Sequence, residues 1–80
     1  MNAQTLRVQN YGKTAAEDRR ITISPMHAIF CSAKTEDTVL DGRSLREVDV
    51  YFDGGGVLPI IVNHSDLELL ENTIGFFCND

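Results

Sequence analysis

The sequence predicts a single small α+β domain spanning residues 1–80: a small, mostly antiparallel sheet of four or five strands, with a β-hairpin leading into one short C-terminal helix. Three observations carry this. Residues 48–62 alternate, break at three glycines and resume as an apolar run. Residues 65–75 combine a helix start, an apolar stripe and a glycine stop. Eighty residues leave room for one modest core and no second unit. With 42% hydrophobic and 24% charged residues and no low-complexity tract, the composition is that of a folded globular protein.

Thr5 to Gln9 alternates, with Leu6 and Val8 on one side, and reads as a first strand. Residues 10–18, polar and small around Gly12, read as a loop or hairpin connection. Alternation returns from Arg19 to Ser24, with Ile21 and Ile23 on one face and Arg20 and Thr22 on the other. Pro25 then removes a ladder donor and ends or kinks the strand. Met26 to Ala33 lacks a clean period. Strand, with Ala28 and Phe30 on one face, is favoured over a helical turn because Ile, Phe and Cys suit a pleated, half-buried surface. Lys34–Thr38 and Asp41–Ser44 read as polar turns, which leaves Val39 and Leu40 as loop.

The strongest local pattern follows. Val48, Val50 and Phe52 alternate with Asp49, Tyr51 and Asp53, then come Gly54, Gly55 and Gly56 and the run from Val57 to Val62, a β-hairpin. Ser65 as N-cap with Glu68 three residues on makes a capping box. Leu67, Leu70 and Ile74 share a face, Glu68 and Glu71 lie off it, and Gly75 is placed to end the helix. A helix of about ten residues is marginal alone and must be held by packing.

Several chemistries are excluded by pattern. The three glycines join two strands rather than a strand and a helix, so turn geometry explains them better than a phosphate loop. His64, Ser65 and Asp66 have the residue types of a hydrolytic triad, but as sequence neighbours their side chains diverge. Cys31 and Cys78 are far apart with no further ligand at metal spacing, so neither a metal nor any cofactor is expected. Residues 1–10 hold no signal-peptide core and no run of membrane-spanning length occurs, so a cytoplasmic location with reduced, buried thiols is expected.

The net charge of −5 argues against a protein that grips nucleic acid through its phosphates. Residues 1–46 hold all seven bases against five acids, a net of +2, whereas residues 47–80 hold seven acids and no base, a net of −7. The C-terminal half is thus a candidate acidic face able to steer toward a basic partner.

Without a clustered nucleophile, base, metal set or cofactor loop, the chain reads as a binding or regulatory protein rather than an enzyme. The first expectation is a small acidic protein-binding module, fitting the inhibitors and adaptors that phages and mobile elements encode. Its contact residues would be Asp49, Tyr51 and Asp53 on the hairpin with Glu68 and Glu71 on the helix. The second is a homo-oligomer that binds a small anionic ligand such as a nucleotide signal at a subunit boundary, through Arg19, Arg20, His27 and the Gly54, Gly55, Gly56 loop. Because Val57 to Val62 is apolar on both faces and Phe76 and Phe77 add to it, a dimer interface is expected at Leu58, Ile60, Val62, Phe76 and Phe77. Its alternative is cover from Leu6, Val8, Ile21 and Phe30 within one chain.

The succession Ile23-Ser24-Pro25-Met26-His27-Ala28-Ile29, Thr35-Glu36-Asp37-Thr38, strand, glycine turn, strand and Ser65-Asp66-Leu67-Glu68 with Ile74 is similar to the small FlbD-type flagellar proteins over roughly residues 21 to 76. The chain departs from that pattern by an extra Asp41-to-Glu47 loop and an extra N-terminal strand, and the likeness carries no functional residue.

Overall fold

The computed structural model describes residues 5–74 together with the backbone of the strand Phe76–Cys78. In chain order it contains β1 (Leu6–Asn10), β2 (Arg19–Ile23), β3 (Ala28–Ala33), β4 (Thr38–Leu40), β5 (Arg43–Phe52), β6 (Val57–Val62), helix α1 (His64–Thr73) and β7 (Phe76–Cys78), with a 3-10 turn at Ala15–Glu17. The α+β architecture expected from the sequence is present as two small sheets and one helix. β1 and β2 form one sheet and β3 to β7 the other, antiparallel except where β7 runs parallel to β3.

β5, ten residues long, organises the larger sheet. β6 pairs along Arg46 to Tyr51, β3 along Val48 to Phe52, and β4 along Arg43 to Leu45. The Lys34 N–H continues the β3 pairing by donating to Glu47 O at 3.0 Å, so residues 28–40 and 43–52 make one long hairpin interrupted at residues 35–37. Its turn is Asp41–Gly42, with φ of 52° and 75°. Two consecutive positive φ values mark a type I′ turn, whose twist matches that of the flanking strands. This overturns the reading of Val39 and Leu40 as loop and of the extra Asp41-to-Glu47 stretch as a loop. An Asp-Gly pair that closes a two-residue hairpin obliges its flanks to pair.

At the next turn Phe52 N–H donates to Gly56 O and Gly55 N–H to Phe52 O, both at 2.9 Å, leaving a three-residue loop in which Gly55 takes φ 89°. The Phe52–Gly56 bond also sets the phase of the ladder: counting back, Asp49–Pro59 is a pair without hydrogen bonds. The donor that Pro59 lacks would therefore face the free edge of β6, and the ladder loses nothing. Ile61, in phase with Pro59, turns its own groups the same way. Its N–H donates to Asn10 Oδ1 at 3.0 Å and its carbonyl accepts from Tyr11 N–H at 2.8 Å, which ties the two sheets together.

The inner face of the large sheet presents Cys31 and Ala33 from β3, Val48 and Val50 from β5, and Ile60 and Val62 from β6. Leu6 and Val8 of β1, Ile23 of β2 and Leu70 of α1 cover them, with Ile21, Leu58, Leu67 and Ile74 at the margins. Part of the strand expected at an oligomer interface is thus covered by the chain itself. Ile60 and Val62 are buried within the chain and Leu58 packs against the same core, because the β1–β2 hairpin folds over as a second layer. Phe76 and Phe77, like the Gly75 helix stop, involve positions whose side chains or backbone lie outside the described residues.

Two further local readings are corrected. Ala28 pairs with Phe52 but Phe30 with Tyr51, so Ile29 is an extra residue and the bulge puts Ala28 and Phe30 on opposite faces. The helix begins at His64, two residues before the expected start, and its N-cap is Asn63, whose Oδ1 accepts from Asp66 N–H at 2.7 Å. Asn63 is selected over Ser65 because its amide also donates to Tyr11 Oη at 2.8 Å, fixing the end of β6 against the first hairpin.

Adjacent leucines on α1 test the burial pattern. Leu70→Ala, at a fully buried site, is expected to cost about 2–5 kcal/mol in urea unfolding. Leu69→Ala, at a site 43% exposed, should cost under about 0.5 kcal/mol. Similar costs at the two positions would contradict the assigned helix face.

Candidate functional site

The face of the large sheet turned away from the core carries Glu47, Asp49 and Tyr51 from β5, flanked by Phe30 and Ser32 on β3 and by Val57, Pro59 and Ile61 on β6. Near the β5–β6 turn this outer face is apolar. The Phe30 and Tyr51 rings stack with centroids 4.6 Å apart and planes 15° from parallel. Val57, opposite Tyr51 on β6, is 50% exposed, and Ile29 is 54% exposed. Ile29 is the extra residue of the bulge and directly precedes Phe30.

Carboxylates border the patch. Asp49 lies two residues from Tyr51 along β5 and is half-buried; Asp53 is exposed in the turn. His27 reaches toward Asp53, with Nδ1 and Oδ2 3.4 Å apart, and its carbonyl accepts from Asp53 N–H at 2.8 Å, so the turn is tied to the segment entering β3.

The structure brings Asp49, Tyr51 and Asp53 together at one end of the outer face. It does not bring Glu68 and Glu71 to them. Those lie exposed on α1, which packs over the inner face through Leu70, on the other side of the sheet. The described acids of residues 47–71 are thus dispersed rather than gathered on one face, and Asp66 is engaged internally, its Oδ2 accepting from Gln9 N–H at 3.0 Å. The proposed anion site divides likewise. His27 and Gly54, Gly55 and Gly56 meet at the turn through Asp53, while Arg19 and Arg20 sit at the opposite end of the five-residue strand β2. His64, Ser65 and Asp66 diverge, with His64 Nε2 2.9 Å from Asp37 Oδ1 and Asp66 bonded to β1.

Sequence reasoning missed two arginine clamps because their partners are remote in the chain. Arg43 donates from Nη1 to Asp18 Oδ2 at 2.8 Å, from Nη2 to Gly12 O at 2.9 Å and from Nε to Leu40 O at 3.3 Å, and its guanidinium lies 5.1 Å from the Tyr11 ring centroid. Arg46 donates from Nε and Nη2 to Asp37 Oδ1 at 3.0 and 2.8 Å and from Nη1 to Lys34 O at 3.0 Å. A cleft of about 570 Å³ opens beside it, lined by Lys34, Thr35, Glu36, Asp37, Thr38 and Glu47. The Gly12 N–H, which donates to Asp18 Oδ1, holds the Asp18 carboxyl below its usual value; burial opposes this and Arg43 adds to it. Asp37 is held down by Arg46 and then by His64. The Cys31 thiol, free and buried, is pushed up to about 11 by burial.

Among the described residues no three His, Cys, Asp or Glu side chains are grouped to hold a metal ion, and no helix is long and apolar enough to cross a membrane. Comparison with models of known families, with curated proteins and with solved structures gives no match. The FlbD-type likeness is therefore taken no further.

The depressed carboxylates fix the sign of one pH effect. A group whose folded pKa lies below its unfolded value stabilises the fold above the unfolded value and loses that contribution as pH falls. Stability is therefore expected to decline as acid is added below about pH 4, and Asp18→Asn combined with Asp37→Asn should flatten that decline relative to the parent chain. Urea titrations at several pH values between neutrality and pH 2.5 or so check this; parallel curves for both proteins would refute the assignment.

Proposed function

We propose that this chain is a small acidic protein-binding module of the inhibitor or adaptor kind, docking through the outer face of its large sheet beside the β5–β6 turn. The observation that carries this reading is apolar bulk set among carboxylates. Exposed Val57 lies opposite Tyr51 of the Phe30–Tyr51 stack, exposed Ile29 precedes Phe30 in β3, and Asp49 and Asp53 lie two residues before and after Tyr51. Protein interfaces draw most of their affinity from a few large, often aromatic side chains that become desolvated at the centre, while charges at the rim steer the encounter and choose the partner. The partner that fits is a protein presenting an apolar or aromatic anchor flanked by Lys or Arg.

A second copy of the chain fits this face less well. Isologous pairing would bring Asp49 and Asp53 of both copies to one interface, and like charges there work against association. Binding of a small anion is the weaker reading as well, since Arg19 and Arg20 stand apart from His27 and the glycine turn.

Capture from host lysate by the immobilised chain, quantified for each variant, tests the proposal. Tyr51→Ala with Val57→Ser is expected to lower capture of the specific partner at least about tenfold. Asp49→Lys with Asp53→Lys should lower it and remove its dependence on salt. Glu68→Lys with Glu71→Lys, on the far side, should leave it unchanged. Equal capture by every variant would sink the reading.

A further inference from the structure

β2 is bordered by a strand on one side only, β1, among the described residues. The direction of its backbone groups follows from one contact. Gln9 N–H leaves the β1–β2 ladder and donates to Asp66 Oδ2 at 3.0 Å. In an antiparallel ladder, a residue whose N–H points outward belongs to a pair without hydrogen bonds, and its partner's N–H and C=O point outward on the opposite edge. Gln9 lies opposite Arg20, and Arg7, in the same phase, opposite Thr22. Arg20 and Thr22 therefore turn both backbone groups to the free edge of β2, where no described residue bonds to them.

The side chains give this edge a definite character. Leu6, Val8, Ile21 and Ile23 face the core, so Arg7, Gln9, Arg20 and Thr22 share the outer face of the small sheet. Arg7 and Arg20 are diagonal neighbours on it, within reach of one another's long side chains. Both are exposed, and neither meets a carboxylate among the described residues, although the chain holds twelve acids. The contrast with β6 is instructive. There Pro59 removes the outward donor and Asn10 and Tyr11 occupy the groups of Ile61. The β2 edge has neither device; Pro25 comes only after the strand ends.

We propose that β2 takes up an extended acidic segment of a partner protein as a third strand of the small sheet. Its backbone bonds to Arg20 and Thr22, alternate carboxylates lie over the Arg7 and Arg20 guanidiniums, and the apolar side chains between them continue the inner face past Ile21. Self-pairing of two β2 edges is disfavoured by gathering Arg19 and Arg20 of both copies along one seam. A nucleic acid duplex offers no strand-like backbone to the edge and meets a chain of net charge −5. This inference is independent of docking at the outer face of the large sheet, which lies on a different sheet.

The test is amide NMR on the isotope-labelled full chain, titrated with the peptide Glu-Val-Glu-Val-Glu-Val. Controls are its Lys-Val counterpart, the same acidic peptide N-methylated at alternate residues, and a short DNA duplex. The acidic peptide should shift the Arg20 and Thr22 amides and slow their hydrogen exchange at least about tenfold at saturation, as binding to the native state requires. The N-methylated peptide should not. Arg7→Glu with Arg20→Glu should weaken binding at least about tenfold, its fold checked by an unchanged amide spectrum elsewhere. The proposal is overturned if millimolar acidic peptide leaves both amides unmoved, or if the Lys-Val peptide or the duplex moves them equally. Shifts confined to Tyr51 and Val57, or concentration-dependent broadening at Arg20 without peptide, overturn it too.

Discussion

The larger sheet depends on a single strand. Among the described residues β5 bonds to β3, β4 and β6 alike, and its length lets β4 and β6 occupy separate stretches of it. Such a strand must have short turns at both ends, because its sequence neighbours are also its spatial neighbours. It has them, two residues at Asp41–Gly42 and three at Asp53–Gly55. Once these turns set the registers of β4 and β6, the side-chain phase of the sheet follows, and with it the division into a core of Val48 and Val50 and an outer face of Asp49 and Tyr51.

That division makes the outer surface informative. Seen as a sequence, residues 47–80 are a block of negative charge; folded, its described acids are scattered over an outer sheet face, a turn and a helix on the far side. Two of the arginines in the N-terminal half are meanwhile consumed by Asp18 and Asp37. Part of the remaining charge is grouped locally: carboxylates beside an aromatic stack on one sheet, guanidiniums along an open edge on the other. Formal net charge conveys neither.

What could be read from the sequence follows the range of the interactions involved. The β5–β6 hairpin and the Leu67, Leu70, Ile74 stripe were legible because alternation and helical spacing are repeated signals. β4 was not, since Val39 and Leu40 are too few to display a period. The bulge at Ile29 escaped because a one-residue slip leaves no mark in composition, yet it decides whether Phe30 joins the core or the surface. Of the candidate site, Asp49, Tyr51 and Asp53 were legible as the polar phase of a strand. Their apolar companions Ile29 and Val57 were not. Asn63 lost to Ser65 in a local reading of the helix start because its second role, holding Tyr11, spans 52 residues of chain.

The bond between Asp66 and Gln9 joins the third residue of α1 to the strand on which β2 is laid. α1 is too short to persist alone, and an isolated two-stranded ribbon is equally marginal. Each therefore leans on the other as well as on the large sheet, the ribbon through Asn10 and Tyr11 on Ile61 and the helix through Leu70 in the core.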